Sequence, residues 1–441
     1  MNAAYLYNVR RAKRGEYMNF NSVTLAAAIF LLAASQTFGA PFTLQECLQK
    51  ARDNNPSLRS AAWESKIAQE NIRQASSADF PRIDAQAGYS MQLEPQAVII
   101  SGRTAETQEP DFAFAGLSLG YTIYDFGRRD SKKQQAGAVA NAFGKSLEAK
   151  QSDVSLQVIE TYFGILETGR LIIAATDEVA QVVEHKRVAQ VLFDEGVTTR
   201  NDLLQAEVRL ANSRQKLLTL KNRRENIWLL LNFLTGGKAE FRADLDENAV
   251  ITGNAEPLPD AAINLTDRSD ILALRLGVES REFEVTESRV NFFPELYTKL
   301  ALDYVQNDKV REQAIMSAII GIKFNLFDGY ASTSAREKAI LNRSKSQDAL
   351  RLAEEQARLE VNTARNDVAV AKERIAVTEA AIRQSEENLR INSERYKERV
   401  GTATEVLDAQ TLVTQTKTDY HRAFYDHQTT TARLQRALGK L

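Results

Sequence analysis

Leu117-Ser118-Leu119-Gly120-Tyr121-Thr122-Ile123-Tyr124-Asp125-Phe126-Gly127 decides how this chain is read. Leu117, Leu119, Tyr121 and Ile123 fall on one face of an extended chain, with Ser118, Gly120 and Thr122 on the other, because successive side chains of a strand point to opposite sides. The pattern recurs in Ile320-Gly321-Ile322-Lys323-Phe324-Asn325-Leu326-Phe327-Asp328-Gly329, where Ile320, Ile322, Phe324 and Leu326 oppose Gly321, Lys323 and Asn325. Asp125 and Asp328 stand 203 residues apart, and the same offset aligns Ala136 with Ala339, Val158 with Val361, Leu204 with Leu407, Leu231 with Leu434 and Gly236 with Gly439. The alignment needs no gap. The chain is two copies of one unit of roughly 200 residues.

A second alternating stretch precedes each of these. Ile83, Ala85, Ala87, Tyr89 and Met91 oppose Arg82, Asp84, Gln86 and Ser90; in the other copy Leu296, Thr298, Leu300, Leu302 and Tyr304 oppose Glu295, Lys299 and Asp303. Two hairpins follow, with strands about 82–93 and 112–124, then about 295–306 and 315–327. A loop between 92 and 114 absorbs the length difference between the copies. Helical patterns from about Thr43 to Ser77 and from about Leu265 to Asn291 lead in, each stopped by Phe-Pro, since the residue before proline is pushed out of the helical region.

After each hairpin no proline occurs as far as Phe193 and Tyr396. A helix of about 65 residues would be about 100 Å long, and its narrow stripe of Val154, Val158, Ile159, Tyr162, Ile165 and Leu166 suits a coiled coil. Turns with Gly196 and Gly401 send the chain back along helices that end at Gly236 and Gly439. The organisation expected is a leader 1–39, a first repeat 40–236 with its helical hairpin about 128–236, a connector 237–263 carrying Pro257 and Pro259, and a second repeat 264–441 with its hairpin about 331–439.

Composition narrows the function. The 441 residues are 44% apolar and 26% charged. A mean hydropathy of -0.35 excludes a polytopic helical membrane protein. The 56 basic and 58 acidic residues give a net charge of -2 and no field to draw the chain to nucleic acid. One cysteine excludes a disulfide framework and a Cys-based zinc site. No metal or other cofactor is expected, and no set of catalytic residues is legible. Arg10, Arg11, Lys13 and Arg14 precede an apolar run, Leu25 to Ala34, too short for the roughly 20 residues of a membrane span and fit for a secretory signal cut after Gly39. Starting at Met18 instead of Met1 would remove all of that positive charge. Cleavage at Gly39 takes the net charge to -5, and Gln45-Glu46-Cys47 lacks a lipoprotein cleavage box. Asp125-Phe126-Gly127 mimics a kinase motif without the rest of that set and reads as a strand-to-helix turn.

Four strands cannot close a barrel, for which about eight are the least, and an open sheet edge has no place in lipid. Three chains would supply twelve strands, with Asp84, Gln86, Lys299, Lys323 and Asn325 toward a wet lumen and the apolar alternates toward lipid. The alternative is a periplasmic adaptor or structural coiled coil whose sheet packs on its own helices and never enters a membrane.

The residue pattern resembles the TolC family of outer-membrane factors. It is carried by Leu44-Gln45-Glu46 with Asn54-Asn55-Pro56-Ser57-Leu58, Tyr124-Asp125-Phe126-Gly127-Arg128, Asp202-Leu203-Leu204-Gln205-Ala206, Arg395-Tyr396, Val406-Leu407-Asp408-Ala409-Gln410 and Ala437-Leu438-Gly439. The resemblance implies a mainly α protein with membrane β structure: two repeats of helix, β-hairpin and long coiled-coil helical hairpin, assembled as a homotrimer. Its twelve-stranded barrel in the outer membrane would continue as an α-helical barrel through the periplasm of a Gram-negative cell. The implied role is the exit duct of drug efflux or type I secretion, with a periplasmic adaptor and an inner-membrane pump as partners. Glu405 and Asp408, three apart on one helical face, would form stacked carboxylate rings at the closed end, favouring cations. Tyr396 and Asp202 match a tyrosine and an acid that latch the gate in the family; around the position of the family's further latch arginine this chain has Gly401 and Ala403, with Arg395 and Arg399 slightly earlier. The turns Gly196-Val197-Thr198 and Val400-Gly401-Thr402 are the expected adaptor-docking tips. Leu117, Leu119, Tyr121, Ile123, Ile320, Ile322, Phe324 and Leu326 are the expected lipid-facing positions.

Overall fold

Asn55 ends one helix and starts the next, joining α1 (Leu44–Asn54) to α2 (Pro56–Ser76). Its Oδ1 accepts from the amides of Ser57 at 2.9 Å and Leu58 at 3.3 Å, while its side-chain amide donates to the Leu234 carbonyl at 2.9 Å. Proline at the first position of α2 has no amide to leave unpaired. The computed structural model describes residues 41–197, 199–251, 265, 268–398 and 400–441. The expected leader and residues 252–263 of the connector lie outside them.

After α2 come β1 (Arg82–Met91), a small hairpin of β2 (Ala97–Ile100) and β3 (Arg103–Glu106), and β4 (Asp111–Tyr124), followed by α3 (Arg128–Asp194) and α4 (Arg200–Thr235). The second copy runs α5 (Ser269–Val290), β5 (Glu295–Val305), β6 (Ala314–Lys323), α6 (Ala331–Lys397) and α7 (Ala403–Ala437). The β2–β3 hairpin occupies the segment expected to be loop. Positive φ at Ser101 (51°) and Gly102 (81°) turns it, as a two-residue hairpin loop requires.

β1, β4, β5 and β6 form one antiparallel sheet in the order β1-β4-β5-β6, open at both edges. Register joins Ile83, Leu119, Leu300 and Ala318 in one row and Ala85, Leu117, Leu302 and Met316 in the next. Tyr121, Thr298 and Ile320 continue the same apolar face. Asp84, Ser118, Ala301 and Ser317 share a row on the opposite face, as do Arg82, Gly120 and Lys299. On that face aromatic side chains lie across glycines: Phe114 covers Gly88 and Tyr297 covers Gly321, and a Cβ at either glycine would sit under 3.0 Å from the ring.

Two departures from simple alternation follow from pairing. The ladder shifts between Thr122 and Tyr124, so Tyr124 pairs with Leu296 and enters the apolar row. Ile123 is the unpaired residue of that irregularity. β6 ends at Lys323 because its partner β5 begins at Glu295, directly after Pro294. Phe324, Asn325 and Leu326 therefore lie beyond the strand, with Leu326 87% exposed, and Asn325 donates to Asp328 at 3.2 Å in the following turn.

α3 and α6 each run for 67 residues, about 100 Å. Asp125 starts α3 by accepting from the amides of Gly127 and Arg129; Asp328 accepts likewise from Ser332. α3 packs along α1, α2, α4, α5 and α7, and α6 along α5 and α7. Both copies bury the same positions midway along these helices. Val158, Ile165, Leu231 and Leu234 in the first copy correspond to Val361, Val368, Leu434 and Ala437 in the second, all 6% exposed or less. Trp228, Tyr162 and Phe163 enlarge the first of these cores. Arg268, 4% exposed, ties the second together by donating to Asp270, Glu360 and the Ala437 carbonyl. Burial raises the Asp270 pKa, but the bonds and charge of Arg268 outweigh it and hold the carboxyl below its usual range.

Candidate functional site

The helical hairpins end in two turns built on one plan. Thr199 caps α4 by accepting from the Asp202 amide at 3.3 Å, and the Asp202 carboxylate accepts back from the Thr199 amide at 3.1 Å. Thr402 and Glu405 repeat this reciprocal pair at the start of α7, at 3.3 and 3.0 Å. The acids expected at the gate therefore have a local duty as well, since a capping box satisfies two orphan helix amides. Glu405 spends one oxygen on the cap and keeps its carboxylate exposed.

The first turn closes on Gly196, φ 73°, with the Val197 amide donating to the Leu192 carbonyl at 2.8 Å, a glycine-dependent helix ending. Val197 and Val400 are 69% and 71% exposed at the two tips. In the second turn the Val400 and Gly401 amides donate to the Arg395 carbonyl at 2.9 and 3.1 Å. The glycines are not equivalent: at the repeat offset Gly196 corresponds to Arg399 and Gly401 to Thr198. Thr198 lies outside the described residues. Tyr396 belongs to the last turn of α6, and its side chain lies outside the description.

Asp408, one turn further into α7, is held from the other hairpin. Arg209 on α4 reaches across 199 residues of sequence to donate to Asp408 Oδ1 at 3.1 Å. This pair joins the first copy's hairpin to the second's. No sequence signal marked Arg209, because an arginine inside an amphipathic helix is ordinary and its partner is remote. Beside the pair, Leu204, Leu407, Thr404 and His185 line a groove of about 630 Å³ between α3, α4 and α7. Burial, and then the Arg209 charge, depress the His185 pKa, so the ring is neutral at pH 7.

At the opposite end of each long helix lies an aromatic collar. Phe126 sits at φ 54°, and its ring lies 4.8 Å from that of Tyr124 and 5.1 Å from that of Phe293. In the second copy Tyr330, at φ 67°, meets Phe327 at 5.6 Å. Phe80, Phe327 and Tyr330 are 69–74% exposed. Aromatic rings at this level suit a membrane–water boundary, directly below the apolar face that carries Leu117, Leu119, Tyr121, Ile320 and Ile322. Among the described residues no helix is long and apolar enough to cross a membrane.

The profile of the outer membrane efflux protein family matches residues 47–237 and 263–440. Over 325 residues the chain is 22% identical to outer membrane protein TolC of Vibrio cholerae, spanning 70% of this chain and 72% of that protein. Over 336 residues it is 22% identical to the alkaline protease secretion protein AprF of Pseudomonas aeruginosa, spanning 73% and 68%. The structure of the outer-membrane channel OprN superposes with a TM-score of 0.80 at 17% identity over 90% of both chains. Matched along both of its repeats, with the fold of the known channels, the chain belongs to the outer membrane efflux protein family.

Proposed function

We propose that three copies of this outer-membrane protein close a twelve-stranded barrel and an α-helical tunnel, forming the exit duct of a tripartite efflux or type I secretion system. The observation that carries this is the open four-stranded sheet, with one apolar face exposed and unpaired edges at β1 and β6. Such edges are satisfied in lipid only by closure, and the tilted strands of 10 to 14 residues span a bilayer. The duct does no covalent chemistry. A periplasmic adaptor docks at the tips Gly196-Val197-Thr198 and Val400-Gly401-Thr402, and an inner-membrane pump supplies the drive.

The periplasmic end is the gate. Asp408 and Glu405 present carboxylate rings around the axis, with Tyr396 and Asp202 at the same level, and the Arg209–Asp408 pair holds the second hairpin against the first. In planar bilayers, the purified trimer gives small cation-selective conductance steps that divalent cations block. Arg209→Ala and Asp408→Ala each raise the conductance. Glu405→Gln preserves the cap, since glutamine also serves in a capping box, and therefore weakens divalent block without raising conductance. Unchanged conductance in both Arg209→Ala and Asp408→Ala removes the latch. A soluble periplasmic product with no conductance removes the duct.

A further inference from the structure

The polar face of the sheet meets the first turn of α3 around a concave basin of about 1180 Å³. Its charges are unequally matched. Glu295 gives one oxygen to Arg128 at 2.7 Å and the other to Thr122 at 2.8 Å. Asp84 is taken by Arg82 at 2.9 Å. Lys299 and Lys323 both line the basin, both are exposed, and among the described residues neither ammonium has an ion pair or hydrogen-bond partner. Lys323 pairs in register with Glu295 and its charge acts on that carboxylate, whose two oxygens are bonded to Arg128 and Thr122. Lys299 lies across from Gly120 and Ile319, which offer no charge.

We propose that Lys299 and Lys323 form a basic collar at the junction of barrel and tunnel that binds multivalent organic anions in transit. The proposal rests on the duct reading above, which turns this face of the sheet inward. Three copies then bring six ammoniums around one water-filled passage, those of Lys323 beside Glu295 and those of Lys299 with no charged partner in register. Their positive field is local. Asp303, an acid on the same face with no ion pair among the described residues, is four residues up β5 from Lys299, about 13 Å along the strand. Lys323, in register with Glu295, lies as far from Lys299 in the other direction, so successive levels are separated by more than the Debye length of about 8 Å at physiological salt and the collar has two tiers, a Lys323 ring and a Lys299 ring, with the acid beyond them. The acidic gate at the far end of 67-residue helices is further still. A solute therefore meets carboxylates at entry and ammoniums before exit. Sulfonates and carboxylates would be retained at the collar, and small cations would pass.

The test applies a tetrasulfonated pyrene to the barrel side of the wild-type trimer in planar bilayers at low salt. The expected result is current block that weakens with added salt. K299Q/K323Q needs about tenfold more probe for the same block, as expected when close charges at low ionic strength are removed. K299R/K323R retains the block, so the charge at these positions and not the particular side chain is read. If K299Q/K323Q does not assemble, K299Q and K323Q are read singly in the same way. Equal block in wild type and the glutamine variants overturns the collar while leaving the duct intact. Absence of any conductance from the wild-type trimer overturns both.

Discussion

Cys47 is fully buried in α1, and that burial pushes its thiol up to about 12. A thiol attacks as its thiolate, so at pH 7.5 Cys47 should resist maleimide in the folded protein and label completely after heating in detergent. Labelling of the native protein would mean that α1 detaches from α3 and α4, where Asn55 and the Leu234 carbonyl otherwise hold the junction. The tip is only partly legible in the sequence. Asp408, Glu405 and Asp202 are marked by their place after a turn, because local spacing identifies helix starts. The partner of Asp408 is set by how two hairpins lie together. The chain places that arginine at 209, on the first copy, where no motif could point to it. The capping duty of Glu405 and Asp202 is legible as Thr-x-x-Glu and Thr-x-x-Asp.

At the scale of the element, Gly236 ends α4 at φ 66°, and a Cβ there would stand 2.7 Å from Asn54 Cβ and 3.0 Å from the Asn54 carbonyl oxygen. Gly236→Ala should therefore cost about 1–3 kcal/mol from the left-handed conformation and more from the collision. Gly127→Ala, at φ 89° with open space around it, should carry only the first of these. Heat dissociation of the trimer on gels compares them, and equal losses would show that contact with the α1 end is immaterial. The order of helix, hairpin and long helical hairpin is legible because each leaves a distinct period and the copy repeats it. Strand ends are less so. Alternation continues through Phe324 and Leu326, but a strand needs a partner and β5 has none to offer before Glu295. The shift at Ile123 likewise belongs to the pairing, and period-two reading carries no trace of it. The β2–β3 hairpin is four residues a side, short enough for its Ser-Gly turn to pass as loop.

For the whole molecule, the proposed barrel turns one side of the sheet to lipid and the other to a wet lumen. Leu117 and Ser118 are neighbours near the middle of β4, in rows of opposite character: Leu117 lies between Ala85 and Leu302, and Ser118 between Asp84 and Ala301. A lysine facing lipid near the midplane costs about 2–4 kcal/mol, whereas a lumen position tolerates one. Threefold assembly repeats that cost in every protomer. Leu117→Lys should therefore sharply reduce the heat-resistant trimer recovered from the outer membrane, while Ser118→Lys, beside Asp84 in a wet interior, should assemble near wild-type level. The two changes share a strand, a residue type introduced and nearly a depth, so general disruption of β4 would lower both alike. The reverse outcome, with Ser118→Lys lost and Leu117→Lys recovered, would turn the barrel inside out and remove Lys299 and Lys323 from the passage. Equal recovery of both from a soluble fraction would instead place the sheet in water, where neither face meets lipid.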